Sequence, residues 1–164
     1  MEQKNERIDS ASRIIKAPVH RIYLAFLDPM AIVKWRPPSG MECEIYEFEP
    51  HVGGKYRMAF KYINAEQGVE GKTTVGSDVF QGTFVELVPD RKIVERIKFK
   101  SDDPVYDKEM TITTRLTPVS EGTEVTIIAE DVPEAIKKED HDEGMQSSLE
   151  NLAQFTEFEN RISS

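Results

Sequence analysis

One carboxylate in this sequence occupies a position that a strand would bury. Ile93, Ile97 and Phe99 alternate with basic residues, which is the pattern of a half-buried strand, and Glu95 falls on their side. An isolated buried carboxylate is costly and usually becomes neutral or finds a partner. Glu95 is therefore a candidate pocket acid that binds a ligand or shuttles a proton, and with Tyr56 it forms the only acid–base pair that the sequence nominates. The alternative, which the residues alone slightly favour, is a bulge or register change that turns Glu95 to solvent.

The histidines and the cysteine show no spacing of a metal site or of a catalytic dyad. His20, His51 and His141 are predicted in a helix face, a turn and an acidic helix start, so we predict no metal and no cofactor. The acidic run 139–143 is interpreted as a solvated helix N-terminus, with cation binding as the alternative. Cys43 is interpreted as a small buried hydrophobe beside the predicted pocket, with a nucleophile as the alternative. No glycine-rich phosphate loop follows a strand, and spacing supports no Ser/His/Asp arrangement.

The N-terminal part of the chain predicts one strand and two short helices. The strand runs roughly from Ile8 to Lys16. A helix should begin at Pro18, because the first helical position leaves its N–H unbonded and proline has none. Asp28-Pro29 repeats the start signal with a capping carboxylate, and Pro37-Pro38 ends the second helix just after Trp35.

Residues 41–129 change to a period of two, which predicts about six antiparallel strands with one buried face. The turn signals between them are Val52-Gly53-Gly54, Pro89-Asp90 and Glu121-Gly122. These connections are too short for crossover helices, so the strands should form a meander. The polar, glycine-bearing segment from Asn64 to Asp78 is predicted to be a long, mobile hairpin loop.

The period returns to 3.6 after Pro133 and predicts a long C-terminal helix, in which Asp140 and Glu143 have capping-box spacing. The predicted fold is α+β, with two short helices after the first strand. A curved antiparallel sheet of about six to seven strands wraps on the last helix. One helix face cannot fill a wide curved sheet, so either large side chains fill the gap or a cavity remains.

An aromatic and methionine stripe on the inward face is the predicted ligand pocket, because such pockets are mostly apolar with a few polar anchors. The alternative is ordinary core packing, which the residues alone favour. The predicted walls are the inward strand residues, the tryptophan of the second helix and one face of the last helix: Trp35, Cys43, Tyr56, Met58, Phe60, Phe80, Glu95, Ile97, Phe99, Met110, Ile112, Met145, Leu149 and Leu152.

Composition limits the class of protein and its partners. The chain has 164 residues, which predicts a single domain over 1–164, and its net charge of −9 makes nucleic acid and anionic membrane surfaces poor partners. The single cysteine excludes an intrachain disulfide. No signal peptide and no membrane-spanning stretch is visible, so the expected location is the cytoplasm. The sequence leaves open whether the chain forms a homodimer.

Several short pieces, in order and spacing, are similar to a known family. They are Ala17-Pro18, Trp35, Glu47-Phe48-Glu49, Gly53-Gly54-Lys55-Tyr56-Arg57, Gly82-Thr83-Phe84-Val85-Glu86 with Pro89, Gly122-Thr123-Glu124-Val125, and Gly144-Met145 with Leu149 and Leu152. The chain resembles the activator of Hsp90 ATPase homologue 1/2-like family, within the START-related (SRPBCC) helix-grip superfamily that includes polyketide cyclases and lipid-transport proteins. The resemblance covers almost the whole chain. It departs at Arg36, where relatives often carry a second aromatic, and at Met145, where they often carry tryptophan.

The resemblance implies a helix-grip fold with an internal cavity for an apolar or amphipathic small molecule. The leading hypothesis is a binding protein for such a molecule, and a binding role is favoured over enzymatic activity. A cyclase or dehydratase that uses Glu95 is the second hypothesis. A chaperone-accessory interaction protein is the third, and the resemblance does not by itself imply activation of Hsp90.

Overall fold

The computed structural model describes residues 7–63, 77–99 and 109–163. The elements in chain order are β1 (Ile8–Ile15), α1 (Val19–Ala25), α2 (Pro29–Trp35), β2 (Met41–Phe48), β3 (Lys55–Tyr62), β4 (Ser77–Val88), β5 (Lys92–Phe99), β6 (Met110–Val119), β7 (Gly122–Glu130) and α3 (Lys138–Ser163). Most of the loop predicted from Asn64 to Asp78 lies outside the described residues, and its end belongs to β4.

The described strands form one antiparallel sheet in the order β1-β7-β6-β5-β4-β3-β2. β2 to β7 are the predicted meander, and β1 joins the sheet by pairing with β7. The register shifts between Ile45 and Glu47 in β2 and between Phe84 and Glu86 in β4. An extra residue of this kind bends a strand and increases its twist, which helps the sheet to curve.

The two short helices begin and end where proline and aspartate signals direct them. Pro18 is the extended N-cap of α1, so the helix begins at Val19, one residue later than predicted. The Asp28 side chain accepts a hydrogen bond of 2.9 Å from the Met30 amide and caps α2, as its sequence predicted. α2 ends at Trp35, and Arg36 is its C-cap.

The long helix α3 begins at Lys138, so the capping box predicted from Asp140 is wrong. Glu139 and Asp140 instead lie in the first helical turn, where carboxylates complement the helix dipole. α3 packs most closely against β1, and α2 lies on β2 and also contacts α3. The architecture is the predicted α+β helix grip.

One apolar cluster lies between the inward sheet face and the helices. Its largest fully buried apolar members come from α1, α2, five strands and α3, namely Ile15, Ile22, Ile32, Trp35, Tyr56, Met58, Phe84, Ile93, Leu149, Leu152 and Val125. In the part of the chain that the structure describes, no helix is long and apolar enough to cross a membrane.

Candidate functional site

Glu95 lies on the inward face of β5 and is 1% exposed. Its cross-strand neighbours are Phe84 in β4 and Ile112 in β6. The register shift expected near this residue exists, but it lies in β4 just beyond Phe84, and β5 keeps its alternation through Glu95. The interpretation that Glu95 turns to solvent is therefore wrong, and the sheet holds a carboxylate inside an apolar core.

The partner of this carboxylate is Arg36, the C-cap residue of α2. Its Nη1 atom donates to Glu95 Oε1 at 2.9 Å, and the two side chains are 12% and 1% exposed. Burial alone would lower the pKa of Arg36, but the adjacent Glu95 carboxylate and the Tyr56 oxygen raise it above its ordinary value. The interior therefore contains a charged pair whose formal charges cancel.

Tyr56 completes the cluster from β3. Its hydroxyl donates to Glu95 Oε1 at 2.6 Å, and Arg36 Nη2 lies 3.5 Å from the same hydroxyl. The Arg36 guanidinium carbon is also 5.6 Å from the centre of the Tyr56 ring, within cation–π range. Burial, reinforced by the Glu95 charge, raises the pKa of Tyr56 well above its ordinary value, so the phenol acts as a proton-bearing donor at neutral pH.

The second oxygen of Glu95 is the unusual atom of this cluster. Oε1 accepts from both Arg36 and Tyr56, whereas Oε2 is buried and has no hydrogen-bond partner among the described residues. Buried polar atoms in folded proteins nearly always have a partner from protein, water or ligand. The cluster therefore contains one buried acceptor that no described residue fills.

Gly82 leaves the space that Tyr56 occupies. The two residues are cross-strand neighbours, and a Cβ built on Gly82 would lie 2.2 Å from the Tyr56 Cζ atom and 2.4 Å from its hydroxyl oxygen. The aromatic ring therefore lies across the glycine. Only a residue without a side chain lets the Tyr56 ring lie here, from where its hydroxyl reaches Glu95.

Polar residues of α3 fix the segment that carries Arg36. The Ser148 hydroxyl donates to the Arg36 carbonyl at 2.6 Å, and the Asn151 amide donates to the Pro37 carbonyl at 3.0 Å. Ser147 accepts from the Ser39 amide at 2.8 Å. These bonds satisfy backbone groups just after α2 and attach them to α3. The long helix thus positions Arg36 through its backbone.

The apolar residues of the predicted pocket all belong to the core cluster or pack against it. Most are buried, and four are only partly buried: Cys43, Phe60, Phe99 and Ile112. The aromatic members contact one another, with ring centres 4.9 Å apart for Phe60–Phe80 and 6.1 Å apart for Phe80–Phe99. Much of the stripe is therefore mutual packing, and its partly buried members are where a ligand would meet it.

Cys43 lies next to Met58, with its sulfur 3.8 Å from the methionine sulfur. Burial raises the pKa of the Cys43 thiol to about 11, although Arg36 acts in the opposite direction. The thiol is therefore protonated at neutral pH, which disfavours the nucleophile interpretation because the thiolate is the reactive form.

The histidines lie in separate places, and one of them joins a buried carboxylate that the sequence did not reveal. His141 Nδ1 is 2.8 Å from Oδ2 of Asp9, whose side chain is fully buried. Arg7 and Lys138 also donate to Asp9. His20 contacts Asp90 at the surface. The described residues contain no group of three or more His, Cys, Asp and Glu side chains arranged to hold a metal ion.

An open depression of about 300 Å³ lies outside the interior, on the helical side of the molecule. It is lined by α1, α2, the turn between them and one residue of α3, namely Arg21, Leu24, Ala25, Asp28, Met30, Ala31, Lys34 and Phe155. The sequence patterns gave no indication of it.

The sequence analysis also missed the role of Arg36, although it had singled out both residues of the ion pair. Glu95 required a cation, and Arg36 was an unexpected charge at a position where an aromatic is usual. The two residues are 59 positions apart, and only the approach of the α2 end to β5 brings them together.

Comparison with known proteins agrees with this architecture. The family described as activator of Hsp90 ATPase homolog 1-like protein matches residues 16–157. The chain belongs to this family. None of the curated proteins matches the chain. Protein CV1439 from Chromobacterium violaceum is 35% identical, with a TM-score of 0.78, over 92% of this chain and 98% of that one.

Other proteins of known structure, with lower sequence identity, share the fold alone. An AHSA1-like protein from Aeromonas hydrophila is 15% identical over 94% of each chain, with a TM-score of 0.71. A Rhodobacter sphaeroides protein is 17% identical over 93% of each chain, with a TM-score of 0.73. Membership of the family therefore establishes the helix-grip fold but does not identify a function.

Proposed function

We propose that this protein binds a neutral, amphipathic small molecule between the sheet and the helices. The apolar part of the molecule contacts the partly buried end of the stripe, where Phe60 and Phe99 lie. Its polar group donates a hydrogen bond to Glu95 Oε2. The observation that carries the proposal is this buried oxygen, which has no partner among the described residues and lies within a largely apolar core.

The charge balance of the cluster selects the chemistry of the ligand. Glu95 and Arg36 already neutralise each other across 2.9 Å, so an ionic head group would enter as an additional uncompensated charge. A hydroxyl or amide group carries the donor that Oε2 lacks without that penalty. A buried acceptor left without a partner costs about 1–3 kcal/mol, which is the free energy that such a donor can recover.

Extraction of the purified protein with organic solvent, followed by mass spectrometry, tests the proposal. The wild-type protein should release one neutral amphipathic compound in near-stoichiometric amount. Tyr56→Phe, which keeps the ring and removes the donor to Oε1, should release a reduced amount. Glu95→Gln should release at least about tenfold less, the equivalent of one hydrogen bond to a charged group.

The matched control is Glu86→Gln on β4, whose carboxylate is on the surface and pairs with Lys92 at 3.1 Å. This variant should release as much compound as the wild-type protein. Circular dichroism should first establish that every variant is folded. An empty wild-type protein, or equal amounts from Glu95→Gln and Glu86→Gln, would contradict the proposal.

A cyclase or dehydratase that uses Glu95 is the second candidate, and the inward, unfilled Oε2 is the observation that favours it. Such a carboxylate can accept a proton from a bound substrate, while the Tyr56 hydroxyl donates to its other oxygen and holds it in place. The test is to collect the residual compound that the Glu95→Gln protein releases and to incubate it with the wild-type protein. Loss of the mass of one water, or an isomer with a new retention time, would establish catalysis, and an unchanged compound would leave a binding protein.

A further inference from the structure

One arginine, Arg21, lines the depression on the helical side. Arg21 Nη1 is buried and has no hydrogen-bond partner among the described residues. Asp28 lines the same depression, but the contact of its carboxylate is with the Met30 amide, as the cap of α2. Arg21 thus has a buried donor without an acceptor among the described residues, whereas Glu95 has a buried acceptor without a donor.

The lining around Arg21 includes exposed apolar residues and a second basic residue. Leu24 and Met30 are 47% and 70% exposed, although large apolar side chains are usually covered, and Phe155 of α3 lines the same depression. Lys34 adds a second positive charge. With Asp28 as the one acidic side chain in the lining, the depression carries a net charge of about +1 on a protein of net charge −9.

Helical spacing explains why these groups meet. Arg21, Leu24, Ala25 and Asp28 are at i, i+3, i+4 and i+7, which is one side of α1 and its continuation. Met30 and Lys34 are four residues apart on α2 and face the same space. The depression is therefore built by two consecutive short helices, with Phe155 of α3 contributing to its wall.

We propose that this depression is a second binding site, which takes an amphipathic carboxylate. The carboxylate pairs with Arg21, whose planar guanidinium matches its geometry, and the hydrocarbon part lies on Leu24, Met30 and Phe155. The observed volume of about 300 Å³ fits a medium-chain fatty acid rather than a large ligand. This site is separate from the interior cluster, which takes a neutral head group.

Octanoate is the probe, and octanol is its uncharged match. Two-dimensional amide NMR titrations of the full chain should show octanoate shifting the amides of Leu24, Ala31 and Phe155. Octanol should bind at least about tenfold more weakly, because a charge-assisted hydrogen bond is lost. Addition of salt should weaken octanoate binding and leave octanol binding unchanged.

Two variants and one control decide the assignment. Arg21→Gln should weaken octanoate binding at least about tenfold, whereas Arg96→Gln, an exposed arginine on β5, should bind as the wild-type protein does. Met30→Gln should weaken binding several-fold; Met30 is too exposed to affect folding, so this variant remains informative if Arg21→Gln does not fold.

The proposal fails if octanoate does not bind, or if Arg21→Gln and Arg96→Gln bind it equally. It also fails if Met30→Gln binds octanoate unchanged. Shifts confined to inward strand amides such as those of Met58 and Ile97 would place octanoate in the interior instead. That last result would contradict the proposed site on the helical side, although octanoate would still bind between the sheet and α3.

Discussion

At the scale of residues, the central question is how an apolar core holds two opposite charges. Arg36 and Glu95 form a buried pair, and Tyr56 adds a second donor to the same carboxylate oxygen. Buried pairs of this kind seldom stabilise a protein relative to apolar residues of the same volume, but removal of one partner is strongly destabilising. A contribution to stability therefore does not by itself explain why the core contains this pair.

Arg36→Met should destabilise the protein by about 3–5 kcal/mol, because it leaves the Glu95 charge buried and unpaired. The double variant Arg36→Met/Glu95→Gln should be more stable than Arg36→Met alone, because a neutral amide no longer requires a cation. Urea denaturation of the wild-type protein and of the single and double variants measures this coupling. Strict additivity of the two changes would show that the pair does not interact.

The same cycle on the surface pair of Lys61 and Glu44 is the control. These two side chains also form an ion pair, but both are largely exposed to solvent. Lys61→Met and Glu44→Gln should leave the midpoint of urea denaturation unchanged, because solvent screens exposed pairs.

Gly82→Ala should destabilise the protein by about 1–3 kcal/mol, because the new methyl group would overlap the Tyr56 ring and force it away from Glu95. Gly144→Ala is the matched control on α3, where a Cβ would meet only Pro38 Cγ at 3.8 Å. This control should stabilise the helix by about 0.5–1 kcal/mol, since alanine is the better helix former. Urea denaturation should therefore give opposite signs, and two similar shifts would show that Tyr56 does not depend on the glycine.

At the scale of elements, two sets of polar contacts attach α3 to the rest of the fold. Ser148 and Asn151 bind the carbonyls that follow α2. At the other end of the sheet, Asp9 of β1 joins the start of α3 through Lys138 and His141. Arg7 extends this second set, because its guanidinium also donates to the carbonyls of Pro133 and Ile136 before the helix.

The Asp9 contacts make the stability of this attachment depend on pH. Burial alone would raise the pKa of Asp9, but hydrogen bonds from Arg7, His141 and Lys138 outweigh it and hold the pKa well below its ordinary value. A carboxylate with a depressed pKa in the folded state stabilises fully above its unfolded pKa of about 3.9. That contribution is lost as the pH falls below about 4 towards the folded-state pKa.

Asp9→Asn should therefore be less stable than the wild-type protein by about 1–3 kcal/mol at pH 7, and the difference should shrink below about pH 4. Urea denaturation at a series of pH values measures the difference directly. Asp140→Asn, an exposed residue in the first turn of α3, should show a small difference at pH 7. A wild-type advantage over Asp9→Asn that stays constant down to pH 2 would exclude the proposed linkage.

At the scale of the whole molecule, the sequence predicted the fold far better than the site. Alternation over many residues defines β2 to β7, and a single residue that breaks the alternation does not obscure the pattern. The site depends on single long-range contacts, such as Arg36 with Glu95 and Asp9 with His141, which are 59 and 132 positions apart. Local periodicity contains no information on which helix end approaches which strand, so these partners could not be derived from it.

Ligand removal tests the whole molecule, because a ligand that binds only the folded chain stabilises every part of it together. Protein stripped of its compound by denaturation and refolding should be less stable by about 2.7 kcal/mol if the compound is normally present at a hundredfold excess over its Kd. For a chain of this size, that difference lowers Tm by about 5–10 °C. Adding back the extracted compound should restore Tm in the wild-type protein and in Glu86→Gln but have little effect in Glu95→Gln. An unchanged Tm after stripping a compound that was demonstrably present would mean that the compound does not bind inside the fold.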